Sequence, residues 1–574
     1  MTTVQIDPIT REVVQNRLTA IVREMSITLQ RAAYSPIIYE VKDFSSVLLR
    51  PGGDLVAQAE GIPGFLGAMP QLIPPLLERY PHAEMSPGDV FVSNDPYSAN
   101  GTHKNDVNVI KPVFAGDRVF AFAVNKAHWT DIGGKESGSW SPDATNTYQE
   151  GISIPPLQLA ERGLLNEELV EIILANTRLR ENNLGDLMAQ MSACNAAERR
   201  VHSLLTQYGA AEIDAYIDSL FAYTEAKIRN EIESIPDGTY VGEDFVETDG
   251  VSPDPIRVSL RIHVKGSDIE FDFTESGPER GGACGNIPVV GTVSACRLAL
   301  KCLLAPGVGA NEGLYRPMAV VTIPGTMTHP LHPAPCTTWG DLMRAIVESI
   351  FEALGPVMPE RVPAGMFGQV QAMGVSGQDP RTGRPFIHFT PYAGGWGARA
   401  SKDGVNALCA LANGDNYNVP CEVVEAEFPL MVERYELIED SGGPGTHRGG
   451  LGVRTDLKVL SDGATVSASL DRYRFPPPGR FGGAPGKGSS LLLGLGDQDE
   501  VDRPKTAGFR MRKDSVISHR TGGGGGFGDP RLRDPRSLAE DVEDGYVSRH
   551  SATRDYDGAI PRAASEMQSA NPSS

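Results

Sequence analysis

The chain has 574 residues, a hydrophobic fraction of 40% and a charged fraction of 22%, ordinary for a globular protein and too long for a single hydrophobic core. Its 52 lysines and arginines face 73 aspartates and glutamates, a net charge of −21; such a surface disfavours nucleic-acid phosphates and anionic lipid heads. No apolar run reaches the roughly 18 residues of a bilayer span and the N-terminus lacks the basic-then-apolar pattern of a signal peptide, so a cytoplasmic location is expected.

Asp7 and Pro8 precede apolar residues at three- and four-residue spacing, Ile9, Val13, Val14, Leu18, Ile21, Val22, Met25 and Leu29. This predicts a helix with Asp as N-cap and Pro at its first position. From Asp43 to about Val56 the pattern alternates about a Pro-Gly-Gly-Asp turn, a β-hairpin, and a short helix is expected over 71–79. A second hairpin follows: Val107, Val109 and Val113 alternate before Ala-Gly-Asp, and Phe120, Phe122 and Val124 after it.

Two long amphipathic helices, about 184–207 and 211–233, are expected to pack as an antiparallel pair, with Gly209 as a left-handed C-cap between them. Short strands are expected up to about Thr274, helices near 293–304 and 342–354, and an all-β portion beyond Gly442. The last residues, "DYDGAIPRAASEMQSANPSS", are polar and aperiodic and read as disordered. The resulting expectation is a mixed multi-domain α+β chain: residues 1–182 as an α+β region, 183–235 as a helical hairpin, 236–440 as a central α+β domain, 441–554 as a Gly/Pro-rich β region, and 555–574 as a tail. The 7 cysteines form no C-x-x-C pair and are expected as buried reduced thiols.

The stretch "SNDPYSANGTHKND", Ser93 to Asp106, is too polar to be core. If Gly116 marks the tip of the second hairpin, Asp106 lies opposite Lys126 and His103 near Trp129. His103, Asp106, His128 and Asp131 then gather at one open end. Opposed strand residues sit about 5 Å apart at Cα, close enough for two imidazoles and one or two carboxylates to share a cation. Nitrogen and carboxylate ligands suit zinc, manganese or iron. The alternative is that both histidines merely cap the mouth of the hairpin.

Other motifs weaken on inspection. "GGGGFG" at 523–528 satisfies G-x-G-x-x-G, but two Asp-Pro pairs follow where a long helix would have to begin, so close backbone packing is the better reading. "FGGAPGKGSS" at 481–490 places Phe481 where a P-loop needs its first glycine and Gly488 where it needs Ser or Thr. His329 and His332 in "THPLHP" are expected at the surface, and "ERYELIEDSGGPGTHRGGLG" reads as a salt-linked strand followed by turns.

Several of these runs, taken in order, carry a family signature. "DPITREVVQNRLTAIVREMSITLQRAAYSP", "LVAQAEGIPGFLGAMP", "MVERYELIEDSGGPGTHRGGLG", "FPPPGRFGGAPG" and "GGGGGFGDP" with the later "DGYVSRHSATRDY" together resemble the hydantoinase B/oxoprolinase family over nearly the whole chain. The resemblance implies a metal-carrying B-type subunit that works with a hydantoinase A-type, ATP-binding subunit in a hetero-oligomer. The implied activity is ATP-dependent opening of a cyclic amide (a hydantoin, 5-oxoproline or a lactam); the alternatives are a subunit of an acetone or acetophenone carboxylase type enzyme, or a non-catalytic scaffold.

Carried over by position, the family pattern implies Asp43, His103, Asp106 and His128 as ligands of a divalent metal (Zn, Mn or Fe). Asp131 is implied as an orienter of an imidazole or a proton acceptor. The chain departs from the family at Lys104-Asn105, where Leu-Pro is common, and at Trp129, where a second His is common; these departures bear on the substrate.

Overall fold

The computed structural model describes residues 6–556; most of the C-terminal run expected to be disordered lies outside them. The first helix, Pro8–Ala32, begins as its sequence requires, with the Asp7 carboxylate accepting from the Thr10 N–H at 2.9 Å and Pro8 at the first position. Its buried stripe, Val14, Leu18, Ile21, Val22, Met25 and Leu29, lies against a seven-stranded sheet. That sheet runs β2-β1-β5-β4-β3-β6-β7, with β1 Phe44–Leu49, β2 Leu55–Gln58, β3 Val90–Ser93, β4 Asp106–Ala115, β5 Arg118–His128, β6 Leu157–Glu161 and β7 Leu164–Leu165.

Both faces of this sheet are covered, and the side-chain period of two assigns each residue to one of them. Phe44, Leu48, Val107, Val109, Ala121, Ala123 and Ala127 face the core shared with the first helix and the helix Arg180–Tyr208. Val47, Leu49, Ile110, Phe122 and Val124 face the opposite core, built with the helices Val289–Leu304 and Gly340–Leu354.

The expected pairing of the two central helices is replaced by another. Arg180–Tyr208 lies antiparallel on the first helix, as the contacts Arg17 with Gln207, Arg200 with Glu24, and the Asp186 carboxylate with the Tyr34 N–H show. Ala210–Glu233 instead covers the turn Glu312–Tyr315. Gly209 between them has φ of 79° but ψ of 150°, an extended glycine break and not the expected left-handed cap.

A second sheet, β11-β10-β9-β8, comprises β8 Gly238–Val246, β9 Ile256–Lys265, β10 Asp268–Asp272 and β11 Met318–Val321. It packs on Gly340–Leu354 so closely that a Cβ at Gly242 would stand 1.9 Å from the Ser349 carbonyl. Two further sheets share the C-terminal core. One contains β12 Ala372–Gln378, β13 Pro385–Thr390, β16 Thr465–Ser469 and β19 Lys505–Arg510; the other contains β14 Leu430–Leu437, β15 Val453–Val459, β17 Ser490–Leu493, β18 Val501–Asp502 and β20 Val516–Arg520.

The chain is therefore a multi-domain α+β protein. The expected all-β ending is corrected: helices Pro535–Glu543 and Arg549–Tyr556 close the described chain, the first capped by Asp534 with Pro535 behind it, the same signal that opens the N-terminal helix. The glycine run at 522–526 packs backbone on backbone, Gly524 N–H to Gly450 O at 2.9 Å and Gly525 N–H to Gly365 O at 2.8 Å. A Cβ at Gly524 would meet the Trp396 carbonyl at 1.9 Å. Among the described residues no helix is long and apolar enough to cross a membrane.

Candidate metal centre

The hairpin β4/β5 forms as expected, but its register differs. The turn is centred between Gly116 and Asp117, with Ala115 opposite Arg118, and a bulge at Val113/Phe114 adds a second residue, so that Asp106 lies opposite His128, and Lys126 opposite Asn108. The correction is by two residues, which leaves every side chain on the face assigned to it. Asp106, Lys126 and His128 share the parity of Ile110, Phe122 and Val124, and so point toward the helix Gly340–Leu354. Asp43, directly before β1, has the parity of Val47 and joins them; its carbonyl accepts from the His128 N–H at 3.0 Å.

Asp106 is the hub. Its Oδ1 accepts from His103 Nε2 at 2.9 Å and lies 3.4 Å from His128 Nδ1, while Oδ2 accepts from the Thr102 hydroxyl. Thr102 in turn accepts from Lys126 Nζ at 2.9 Å. The ligand-type atoms of His103, Asp106 and His128 all lie within 4.8 Å of one another, and all three residues are buried. Burial alone would raise the Asp106 pKa, but the two imidazoles and the Lys126 ammonium hold it well below the usual carboxylate range. Lys126 is pushed down to about 8 by burial, against the pull of Asp106.

The histidines and Asp43 line a cavity of about 40 Å³. Phe389 stacks on the His128 ring at 5.2 Å, and Trp140 meets the His103 ring edge-on at 6.1 Å. Trp339, Gly340, Gln369 and Asn413 close the side contributed by the later part of the chain. Four buried atoms of the residues lining this side have no hydrogen-bond partner: Asp43 Oδ1, His103 Nδ1, His128 Nε2 and the Trp140 Nε1–H, of which the last is a donor only. Burial raises the Asp43 pKa to about 7, with His128 lowering it and Asp106 raising it further. Two imidazole nitrogens converging on one buried carboxylate oxygen, with a second, partnerless carboxylate oxygen at the same cavity, form a donor set that a divalent cation would satisfy.

Asp131 is placed differently from the expectation. Its carboxylate accepts from the N–H groups of Gly138 at 3.1 Å and Arg178 at 2.8 Å and pairs with the Arg178 guanidinium at 2.8 Å. It shapes the loop after β5, and none of its hydrogen bonds goes to an imidazole.

The two departures at Lys104-Asn105 are structural: Lys104 Nζ donates to the carbonyls of Thr147 and Gly151 at 2.6 and 2.8 Å, and Asn105 Nδ2 to Trp129 O at 3.0 Å. Trp129 faces the other core and donates to Gln190 at 2.9 Å. Sequence reading missed Thr102, Lys126, Trp140, Trp339, Gln369 and Asn413; only the alternation of β5 carried a signal, and only for Lys126.

His329 is half-buried and His332 exposed, and the acidic strand is salt-linked as expected, through Arg434 with Glu436 and Asp456. Cys194, Cys284, Cys296 and Cys336 are buried thiols, whereas Cys302, Cys409 and Cys421 are only partly so.

Fold and cavity together define a multi-domain α+β protein with a buried imidazole and carboxylate centre. The chain belongs to the hydantoinase B/oxoprolinase family, whose model matches residues 7–530. It is 31% identical to the B-type subunit of a putative D-/L-hydantoinase from a Pseudomonas species, over 96% of this chain and 95% of that protein.

The crystal structure of an ATP-dependent caprolactamase from Pseudomonas jessenii superposes with a TM-score of 0.88 at 28% identity, covering 99% of this chain and 100% of the other. An acetone carboxylase structure superposes with a TM-score of 0.85 at 20% identity, over 97% of this chain and 80% of that one, a likeness of fold.

Proposed function

We propose that this chain is the metal-holding B-type subunit of an ATP-dependent cyclic-amide hydrolase, acting in the cytoplasm on a hydantoin, 5-oxoproline or lactam ring with an A-type, ATP-binding partner. The observation that carries the reading is the convergence of His103 Nε2 and His128 Nδ1 on Asp106 Oδ1, at 2.9 and 3.4 Å, in a buried cluster whose ligand-type atoms all lie within 4.8 Å of one another, with the partnerless Asp43 Oδ1 at the same cavity. Asp43, His103, Asp106 and His128 would hold one divalent cation, with zinc, manganese and iron matching the nitrogen and oxygen donor set. Such a cation supplies Lewis acidity toward a carbonyl or phosphoryl oxygen.

The chain's own residues do the rest. The Asp106 carboxylate holds both rings toward one oxygen, 2.9 Å from His103 Nε2 and 3.4 Å from His128 Nδ1, and Phe389, Trp140 and Trp339 keep bulk water from the cavity. Ring amides resist hydrolysis because resonance makes the carbonyl a poor electrophile and the amine a poor leaving group; conversion of the oxygen to a phosphate ester by ATP removes that resonance. The glycine-rich runs here are consumed by backbone packing, which agrees with ATP being handled by the partner.

The test is co-purification with the A-type subunit, metal analysis, and a screen of ATP hydrolysis over lactams, hydantoins and ketones with and without bicarbonate. About one metal per chain, loss of metal and activity in His103→Ala plus His128→Ala, and ring-amide stimulation without bicarbonate are expected. Stimulation by ketones that requires bicarbonate would favour the carboxylase alternative suggested by the shared fold. Full activity in the double variant would make the chain a scaffold.

A further inference from the structure

Across the cavity from the histidines lie two carboxamides. Gln369 comes from the segment before β12, its backbone N–H donating to the Asp471 carboxylate at 3.0 Å; Asn413 ends the short turn Leu411–Asn413. Gln369 Nε2 donates to Asn413 Oδ1 at 2.7 Å. That bond joins the two side chains and leaves Gln369 Oε1 as an acceptor, with the Asn413 Nδ2 hydrogens and the second Gln369 Nε2 hydrogen as donors. None of these has a protein hydrogen bond among the described residues, although Gln369 is only 4% exposed and Asn413 only 6%. Gly340 makes room for this arrangement: a Cβ there would stand 2.9 Å from Gln369 Cγ.

We propose that the joined Gln369 and Asn413 carboxamides recognise the edge of a ring amide, Asn413 Nδ2 donating to its carbonyl and Gln369 Oε1 accepting from its N–H. The inference rests on the proposed function and names the residues that set its substrate class. An acyclic secondary amide is almost always trans, with N–H and C=O on opposite sides. A small ring forces the cis form and puts both on one edge. A linked donor and acceptor on one wall matches the second shape and can satisfy only half of the first.

A cavity of about 40 Å³ has room for about three waters at 10–15 Å³ each, less than a ring amide needs. A ring therefore enters with opening of the wall, which we assign to the segment carrying Asn413. That segment is bounded by two residues of positive φ, Ala407 at 49° and Gly414 at 46°, and Asn413 would close onto the bound ring with it.

The test uses the complex with the A-type subunit and the ring amide that most stimulates its ATP hydrolysis, compared with the same ring N-methylated. The wild type is expected to prefer the N–H ring by at least about 100-fold in kcat/KM, as a site built to hydrogen-bond a donor does. Gln369→Leu should bring the preference within about threefold, while Asn413→Leu should raise KM for both rings alike; the metal content of each should match the wild type.

Gly340→Ala, which presses on Gln369 without touching its chemistry, should give an intermediate preference and decides the matter if Gln369→Leu does not fold. An unchanged preference in the folded, metal-loaded variants overturns this inference while leaving the proposed function standing. A wild-type complex that responds to no ring amide overturns the proposed function, and this inference with it.

Discussion

His103, in the turn before β4, and His128, at the end of β5, are as buried as His388 and His519 in the C-terminal sheets, at 4%, 2%, 2% and 0% exposed, yet they are built for opposite purposes. The first two share one carboxylate oxygen and line a cavity. The other two are packing: His388 lies 4.9 Å from the Phe428 ring, and His519 stacks on Tyr392 at 4.0 Å with Nε2 against the Gln371 carbonyl. His519 Nδ1 also lacks a partner. A single partnerless buried nitrogen is therefore no sign of a site; what distinguishes the first pair is convergence, two rings and two carboxylates on one sheet face.

The sharpest way to separate the pairs is acid. Burial lowers His388 to about 4 and His519 to about 3, so both rings stay neutral in the folded protein at pH values where the unfolded chain already binds a proton. The unfolded state then binds more protons, and stability rises with pH across this window. It is fully present above about pH 6.5 and is lost as pH falls below that, by about 2 kcal/mol per ring at pH 5. Urea titrations of the metal-free chain between pH 7 and 5 should show this loss as the difference between the wild type and His388→Phe with His519→Phe, because the Asp43 and Asp471 carboxyls, both raised to about 7, bind protons in the folded state over the same window and move the total the other way. A slope unchanged by both substitutions breaks the comparison.

A smaller effect is expected at the hub of the first pair. Asp106→Asn keeps the shape and one oxygen but removes the charge of one of the four proposed ligands, so metal binding should weaken by at least the 10- to 100-fold typical of losing a supporting partner. Competition with a chelator measures it directly. Affinity equal to the wild type would mean that the rings are held by packing against Phe389 and Trp140 alone, as His388 and His519 are held by theirs.

The hairpin side of the centre was legible because alternation assigns faces, and a face survives a register error. Placing Asp106 opposite Lys126 missed the turn centre and the bulge at Val113/Phe114, yet parity still put Asp106 and His128 together. Trp339, Gln369 and Asn413 were not legible: they arrive from more than two hundred residues away, by packing that no local period encodes. The helix Arg180–Tyr208 shows the same limit, since its stripe revealed an apolar face but not that the first helix would cover it. Asp131 failed for another reason: Arg178, which claims its carboxylate, stands in a turn with no pattern of its own.

The least effect on metal binding is expected from the substitution that looks most like adding a ligand. Trp129 follows His128, so Trp129→His places a third imidazole one residue from the centre. Strand geometry sends it to the opposite face, into the core with the helix Arg180–Tyr208, where Trp129 now donates to Gln190. Metal stoichiometry and affinity should stay at wild-type values. Stability should fall by about 1–3 kcal/mol, because a large buried side chain is replaced by a smaller polar one. Tighter metal binding in this variant would show that the sheet face does not decide which imidazoles reach the cation, and the contrast between the two histidine pairs would have to be explained by something other than convergence on that face.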